Sequence, residues 1–345
     1  MAQERRWWDK ERHADRRGLL MARGAIKSSI RSWFERNGYV EVEPAALQVS
    51  PGNEAHLHAF ATLYRDEAGR QRTYHLHTSP EFAMKKLIAA GETRIFAFAP
   101  VYRNAERSAL HSPEFTMLEW YEAGAGYSRI MDHCEEMLRI AAITTCADVF
   151  ERNGRRIDPL AVATRMTVAE AFAEHAGIDL LATLSETGAD RNELAGAAAG
   201  IGVRVAADDS WSDLFSRIMV ERIEPAIGNG RATILTEFPA VEAALARRCP
   251  HDPRVSERFE VYACGVELAN CFGELTDPVE QRHRFELEMD EKQRLYGERY
   301  PIDEDFLAAL AVMPQTSGGA LGFDRLVMLT TGAAHIDQVL WTPIA

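Results

Sequence analysis

Long hydrophobic runs are missing from this chain. No stretch approaches the ~18 uncharged apolar residues that a bilayer-spanning helix requires, which excludes such a helix. Cysteine is scarce and shows no pairing pattern. Cys134, Cys146, Cys249, Cys264 and Cys271 are odd in number, and no two are spaced C-x-x-C. In a chain of 345 residues, long enough to bury a core without staples, this predicts reduced thiols and a cytoplasmic protein. Positive charge is also in deficit. Lys and Arg total 39 against 52 Asp and Glu, a formal net charge of -13. Proteins that grip a nucleic-acid backbone do so through a basic surface that displaces counterions, so stable tRNA binding is not expected. The N-terminal run Arg5-Arg6-Trp7-Trp8-Asp9-Lys10-Glu11 mixes charges without an apolar core and is no signal peptide. Internal repeats and low-complexity linkers are absent too.

What is present is a succession of short elements. Leu20, Ile26, Ile30, Trp33 and Phe34 recur at helical spacing from Leu19 to the Asn37-Gly38 cap. Tyr39 to Glu43 alternates like a strand. A strand around Leu57–Phe60, a turn at Glu67-Ala68-Gly69 and a strand ending at His77 follow. Ser79-Pro80-Glu81 then starts a helix, with a hydroxyl at the cap, proline in the first turn and a carboxylate near the positive end of the dipole. Residues 95–121 read as two strands joined by a polar loop, and 128–148 as a helix. Residues 158–250 are alanine-rich and mainly helical, with a strand near Ala232–Leu235. Residues 258–276 read as two strands around a Gly265 turn, followed by a charged helix from Pro278 to about Tyr296. A Gly-rich turn, Ser317 to Gly322, leads into a last helix from Phe323. Strands joined by hairpins and inserted helices predict an α+β fold, an antiparallel sheet flanked by helices.

Three segments carry chemistry. In the strand ending Phe115-Thr116-Met117-Leu118-Glu119-Trp120-Tyr121, the residues Phe115, Met117, Glu119 and Tyr121 share a face. A carboxylate and a phenol beside aromatics make a polar recess, or else a plain solvated face. Across the Gly265 turn, Glu260 and Glu267 sit on paired strands. Two close carboxylates either hold a hard cation such as Mg²⁺ beside phosphates or are ordinary surface acid. The Gly-rich turn lets backbone approach a ligand, and Arg325 beyond it could clamp a phosphate, although such a turn also suits a plain helix start.

Taken in order, the runs His111–Tyr121, Arg258–Glu274 and Gly318–Arg325, with Thr78-Ser79-Pro80-Glu81, resemble the signature motifs of class II aminoacyl-tRNA synthetases of the lysyl branch, over about residues 19–335. The resemblance implies a class II catalytic core for 19–345, a short extension at 1–18 and a mainly helical insertion at about 158–250. It leaves no room for the N-terminal anticodon-binding domain of bacterial lysyl-tRNA synthetases. In this the chain resembles the truncated paralogue family, the elongation factor P–(R)-β-lysine ligases, which join β-lysine to a lysine side chain of elongation factor P. Ala320, where the synthetases usually carry glycine, points the same way: its methyl would narrow the amino-acid pocket, and one methyl discriminates by only ~1–3 kcal/mol.

The resemblance also implies roles. Arg103 would bind the α-phosphate and the amino-acid carboxylate. Phe115 and Arg325 would sandwich adenine, with Arg325 near the γ-phosphate, and His111, Asn104, Glu106, Leu268 and Gly322 would lie about the nucleotide. Glu260 and Glu267 would hold Mg²⁺. Glu274 and Tyr121 would take the side-chain ammonium, Glu81 and Glu119 the other amino group, and Asn270 the carboxylate, with Ser79, Pro80 and Ala320 completing the pocket. ATP and Mg²⁺ are therefore the expected cofactors, elongation factor P and lysine or β-lysine the expected partners, and a homodimer the expected assembly.

Three positions depart from the family pattern. Ala105 stands where glutamate usually reads adenine, so either Glu106 takes that part through a shifted loop or backbone does. Ser112 replaces an asparagine. Pro44 is offset by one in the motif that builds the dimer. The competing readings are a synthetase-like enzyme acting on tRNA and an inactive regulatory paralogue. The intact Arg103, Glu260, Glu267 and Arg325 oppose the latter.

Overall fold

A computed structural model describes residues 6–344, so the first five residues of the expected N-terminal extension lie outside the described part. Its backbone is an eight-stranded sheet. In chain order the strands are β1 (Val40–Glu41), β2 (Arg94–Tyr102), β3 (Glu114–Ala123), β4 (Thr164–Thr167), β5 (Thr233–Thr236), β6 (Arg258–Ala263), β7 (Val266–Gly273) and β8 (Thr316–Gly322). In space they run β1-β2-β3-β8-β7-β6-β5-β4. The central pairings are antiparallel, and only the outermost pairs, β1 with β2 and β4 with β5, are parallel. The α+β expectation holds.

Helix α1 (Lys10–Arg36) begins nine residues before Leu19, where the sequence reading starts it. Its first turns are rich in Lys, Arg, Glu and Ala, good helix formers that leave no periodic signal, and Asp9 caps them by accepting from the Glu11 amide at 3.2 Å. The stripe Leu20, Ile26, Ile30 and Phe34 is fully buried against α3 (Tyr127–Thr145) and the sheet. Phe34 stacks on Phe96 at 4.7 Å. Burying a phenyl ring of this kind stabilises by roughly 1.5–3 kcal/mol.

Helix α2 (Glu81–Ala89) starts after Ser79-Pro80, with Pro80 as its cap residue. The insertion carries α4 (Val168–Ala176), α5 (Arg191–Gly200) and α6 (Trp211–Ile218), which close their own apolar cluster around Phe172, Trp211 and Phe215. Helices α7 (Pro278–Tyr296), α8 (Glu304–Leu310) and α9 (Phe323–Thr331) complete the chain.

The Gly-rich segment corrects the sequence reading. It is strand β8, in the middle of the sheet, and not a turn. Gly318 lies opposite Tyr121, and a Cβ on it would run into the Tyr121 ring; a Cβ on Gly319 would meet the Cys271 sulfur. The glycines are there so that neighbouring side chains can lie flat across the strand.

Candidate active site

The sheet register sets the floor of one cavity, which Ala320 and Asn270 line. Glu119 on β3, Ala320 on β8, Asn270 on β7 and Glu260 on β6 form a single rung across four adjacent strands. Ala320 therefore places its methyl between Glu119 and Asn270. A bulge in β7 sets the next position. The partners jump from Val261–Ala269 to Tyr262–Glu267, so Leu268 is the extra residue. Glu267 and Asn270 are three apart and would face opposite ways in a regular strand; the bulge brings both to the cavity.

The cavity holds about 320 Å³. Ser79, Glu81, Arg103, Glu106, His111, Phe115, Glu267, Leu268, Asn270, Ala320, Gly322 and Arg325 all line it, as the sequence led us to expect. Pro80, Asn104, Glu119, Tyr121, Glu260 and Glu274 do not. Pro80 opens α2, and Asn104 is turned to bridge His58, its carbonyl accepting from the Ala105 amide at 2.9 Å. That turn holds Ala105 at φ 63°, a left-handed conformation unusual for alanine, and Ala105 is exposed while Glu106 faces the cavity.

One end of the cavity is cationic and half-open. The Arg103 guanidinium lies 5.4 Å from the Phe115 ring centroid. Arg325 donates to the Glu267 carbonyl and to His111 Nε2, both at 2.8 Å. His111 must accept there, so its Nδ1 carries the proton and donates to Ser108 Oγ at 2.7 Å. Burial and the Arg325 charge lower the His111 pKa and keep it neutral. Planar donors beside an aromatic face suit a nucleotide phosphate and base.

Behind Ser79 and Glu81, which line the cavity at its other end, lies a sealed anionic cluster that does not itself line it. Glu119 is buried, and accepts from Tyr121 Oη at 2.6 Å and Ser79 Oγ at 2.7 Å. Burial, reinforced by Glu81, pushes its pKa up to about 8. Glu274, 1% exposed, lies behind Glu81, and burial pushes its pKa up to about 7. Between these acids lies a residue that sequence reasoning passed over. Lys85, fully buried, pairs with Glu81 and with Glu274 at 2.5 Å. Burial alone would lower the Lys85 pKa, but Glu274 and Glu81 outweigh it and raise it. Its signal was a lysine set one turn after Glu81 on the apolar face of α2, beside Phe82, Met84 and Ile88. Glu274 Oε1 and Asn270 Oδ1 are buried without protein partners. Once Glu119 and Glu274 are ionised, three carboxylates (Glu81, Glu119, Glu274) stand against one ammonium (Lys85), so a cationic ligand is what lets these acids give up their protons.

Glu260 departs from the expected arrangement. Its carboxylate accepts from Arg258 at 2.6 Å and from Tyr262 at 2.5 Å, and it does not line the cavity. With both oxygens committed, it fits a brace for Arg258 better than a cation ligand. Glu267 does fit: its side chain is 43% exposed into the cavity, 3.7 Å from Arg325. One carboxylate plus substrate phosphates is an ordinary Mg²⁺ environment. Glu54, Glu242 and Glu288 also line the cavity and carried no motif, since they come from a loop, a short turn in the insertion and α7.

Comparison with known proteins agrees with this geometry. A family model described as tRNA synthetases class II (D, K and N) matches residues 1–344. The elongation factor P–(R)-β-lysine ligase of Haemophilus influenzae (strain PittGG) is 38% identical over 323 residues, 93% of each chain. Those of Vibrio cholerae serotype O1 and Sodalis glossinidius are each 37% identical, over 94% and 93% of both chains respectively.

Proposed function

The chain belongs to the class II tRNA synthetases of the D, K and N group, in the branch of the elongation factor P–(R)-β-lysine ligases, and from that premise we propose that it activates (R)-β-lysine with ATP and transfers it to a lysine side chain of elongation factor P. The observation that carries this reading is the sealed anionic end: three buried carboxylates and one lysine call for a ligand with two ammonium groups. A β-lysine or lysine supplies two, and its carboxylate is left to face Arg103.

Chemistry follows from placement. The amino-acid carboxylate attacks the α-phosphorus of ATP; the new P–O bond forms as the bond to pyrophosphate breaks. Arg103 and Arg325 hold the phosphates from either side, which is how such transfer is accelerated, by position and electrostatics. Mg²⁺, when bound at Glu267, would neutralise phosphate charge. The acceptor amine then attacks the acyl carbon of the adenylate and AMP leaves, forming an amide. Glu274 and Tyr121 read the side-chain ammonium, and Glu81 and Glu119 the other. Ala320 narrows the floor between Glu119 and Asn270, where a shifted amino group would lie. The net charge of -13 supports a protein acceptor over tRNA, and the same reading makes the enzyme cytoplasmic and homodimeric.

Transfer of labelled (R)-β-lysine and of α-lysine to purified elongation factor P and to bulk tRNA tests this. The factor should be labelled, with β-lysine preferred. Labelled tRNA beside an untouched factor would replace this reading with a synthetase-like one.

A further inference from the structure

Away from the cavity, Glu237, Cys249 and His251 offer a carboxylate oxygen, a sulfur and an imidazole nitrogen that all lie within 4.8 Å of one another. None of the three lines the active-site cavity. Glu237 follows β5, and Cys249 and His251 belong to the hairpin formed by Arg248–Cys249 and Asp252–Ser256. We propose that these three residues form a site for one zinc-class divalent cation, which would tie the end of β5 to that hairpin.

Three observations carry it. The donor set is of the right kind: thiolate, imidazole and carboxylate together select a borderline-soft ion over Mg²⁺. The spacing fits as well. His251 Nε2 stands 3.4 Å from each Glu237 oxygen, too long for a good charged hydrogen bond. About 3.4 Å is the edge of a tetrahedron whose metal–ligand bonds are about 2.1 Å. Glu237 is held at φ 58°, a left-handed conformation costly for a glutamate, and this aims its side chain at the other two. Cys249 is 3% exposed, so its sulfur is shielded from solvent on the protein side of the cluster. Binding would release the thiol proton to solvent as the sulfur–metal bond forms. The exposed side of His251 leaves the fourth position to water. Because the chain running into this hairpin, Ala243 to Leu245, lines the cavity wall, the ion would also stiffen that wall.

The test is a Co²⁺ titration of the full chain, freed of metal by a chelator and kept reduced. One equivalent should give a thiolate-to-cobalt charge-transfer band with the visible bands of a tetrahedral ion, and Zn²⁺ should displace it. Cys249→Ser should abolish the sulfur band, and His251→Ala, at an exposed position, should weaken binding at least about tenfold. The absence of a sulfur band at one equivalent would overturn the proposal. So would a band that survives in both variants, since it would belong to another thiol such as the exposed Cys146.

Discussion

On the proposed reading, the open cavity end and the buried cluster behind it recognise their ligands by opposite means. At the nucleotide end, Arg103, Arg325 and a neutral His111 stay half-open, and their donors are already aimed. At the other end, Glu119, Glu274 and Lys85 are removed from water: Lys85 pairs with Glu274 and Glu81, and Glu119 accepts from Tyr121 and Ser79. The open end needs only planar donors, because phosphates bring their own charge. The sealed end must leave a charge deficit that one kind of ligand repairs. Specificity therefore belongs to the buried end and rate to the open one.

Lys85→Met should break the buried end most severely. It leaves Glu81 and Glu274 without their counter-ion, and removing one partner of a buried pair costs about 3–5 kcal/mol. Urea denaturation at neutral pH should show the loss, and it should shrink in acid, where the two carboxyls are protonated. Arg325→Ala acts at the other end. It should lower kcat/KM for ATP by about 10²–10³-fold while leaving the KM for the amino acid within about twofold. Glu274→Gln should do the reverse, raising the KM for the amino acid about 100-fold with little change for ATP. If either substitution moved both constants together, the two ends would not be separable.

The smallest effect is one of pH. The carboxyls of Glu119 and Glu274 are raised, to about 8 and about 7, so the empty protein keeps protons that the unfolded chain has already lost. Across the window from the ordinary carboxylate range to about 8, the stability of the empty protein should fall as pH rises. Ammonium binding needs the ionised acids, so over the same window the KM for the amino acid should fall about tenfold from pH 6 to pH 8. The KM for ATP should change less, since Arg325 donates to His111 Nε2 and so favours the neutral ring. Calorimetry in two buffers should show proton release on amino-acid binding.

The sequence made much of this legible where side chains alternate. The Phe115–Tyr121 face and the β6–β7 pair around Gly265 fall as read, because side chains two apart on a strand share a face even where, as in β3, both faces are buried. The bulge at Leu268 left none, although the three-residue spacing of Glu267 and Asn270 demands it. Glycine in strand β8 read as a turn, since what requires it is the Tyr121 ring on the next strand. Lys85 was hidden because a lysine is assumed solvated, and only the two acids from different segments reveal why it can be buried. Glu260 carried the right charge, but the sequence could not show that Arg258 and Tyr262 claim both its oxygens.

The most direct test of the charge-deficit account is ATP–pyrophosphate exchange with (R)-β-lysine, α-lysine and norleucine, which keeps the carbon chain of lysine and lacks its ammonium. The account predicts exchange with the two diamino acids, stronger for β-lysine, and none above background with norleucine. Exchange with norleucine at a comparable rate would contradict it, because its apolar side chain leaves the carboxylates meant for the second ammonium without a partner.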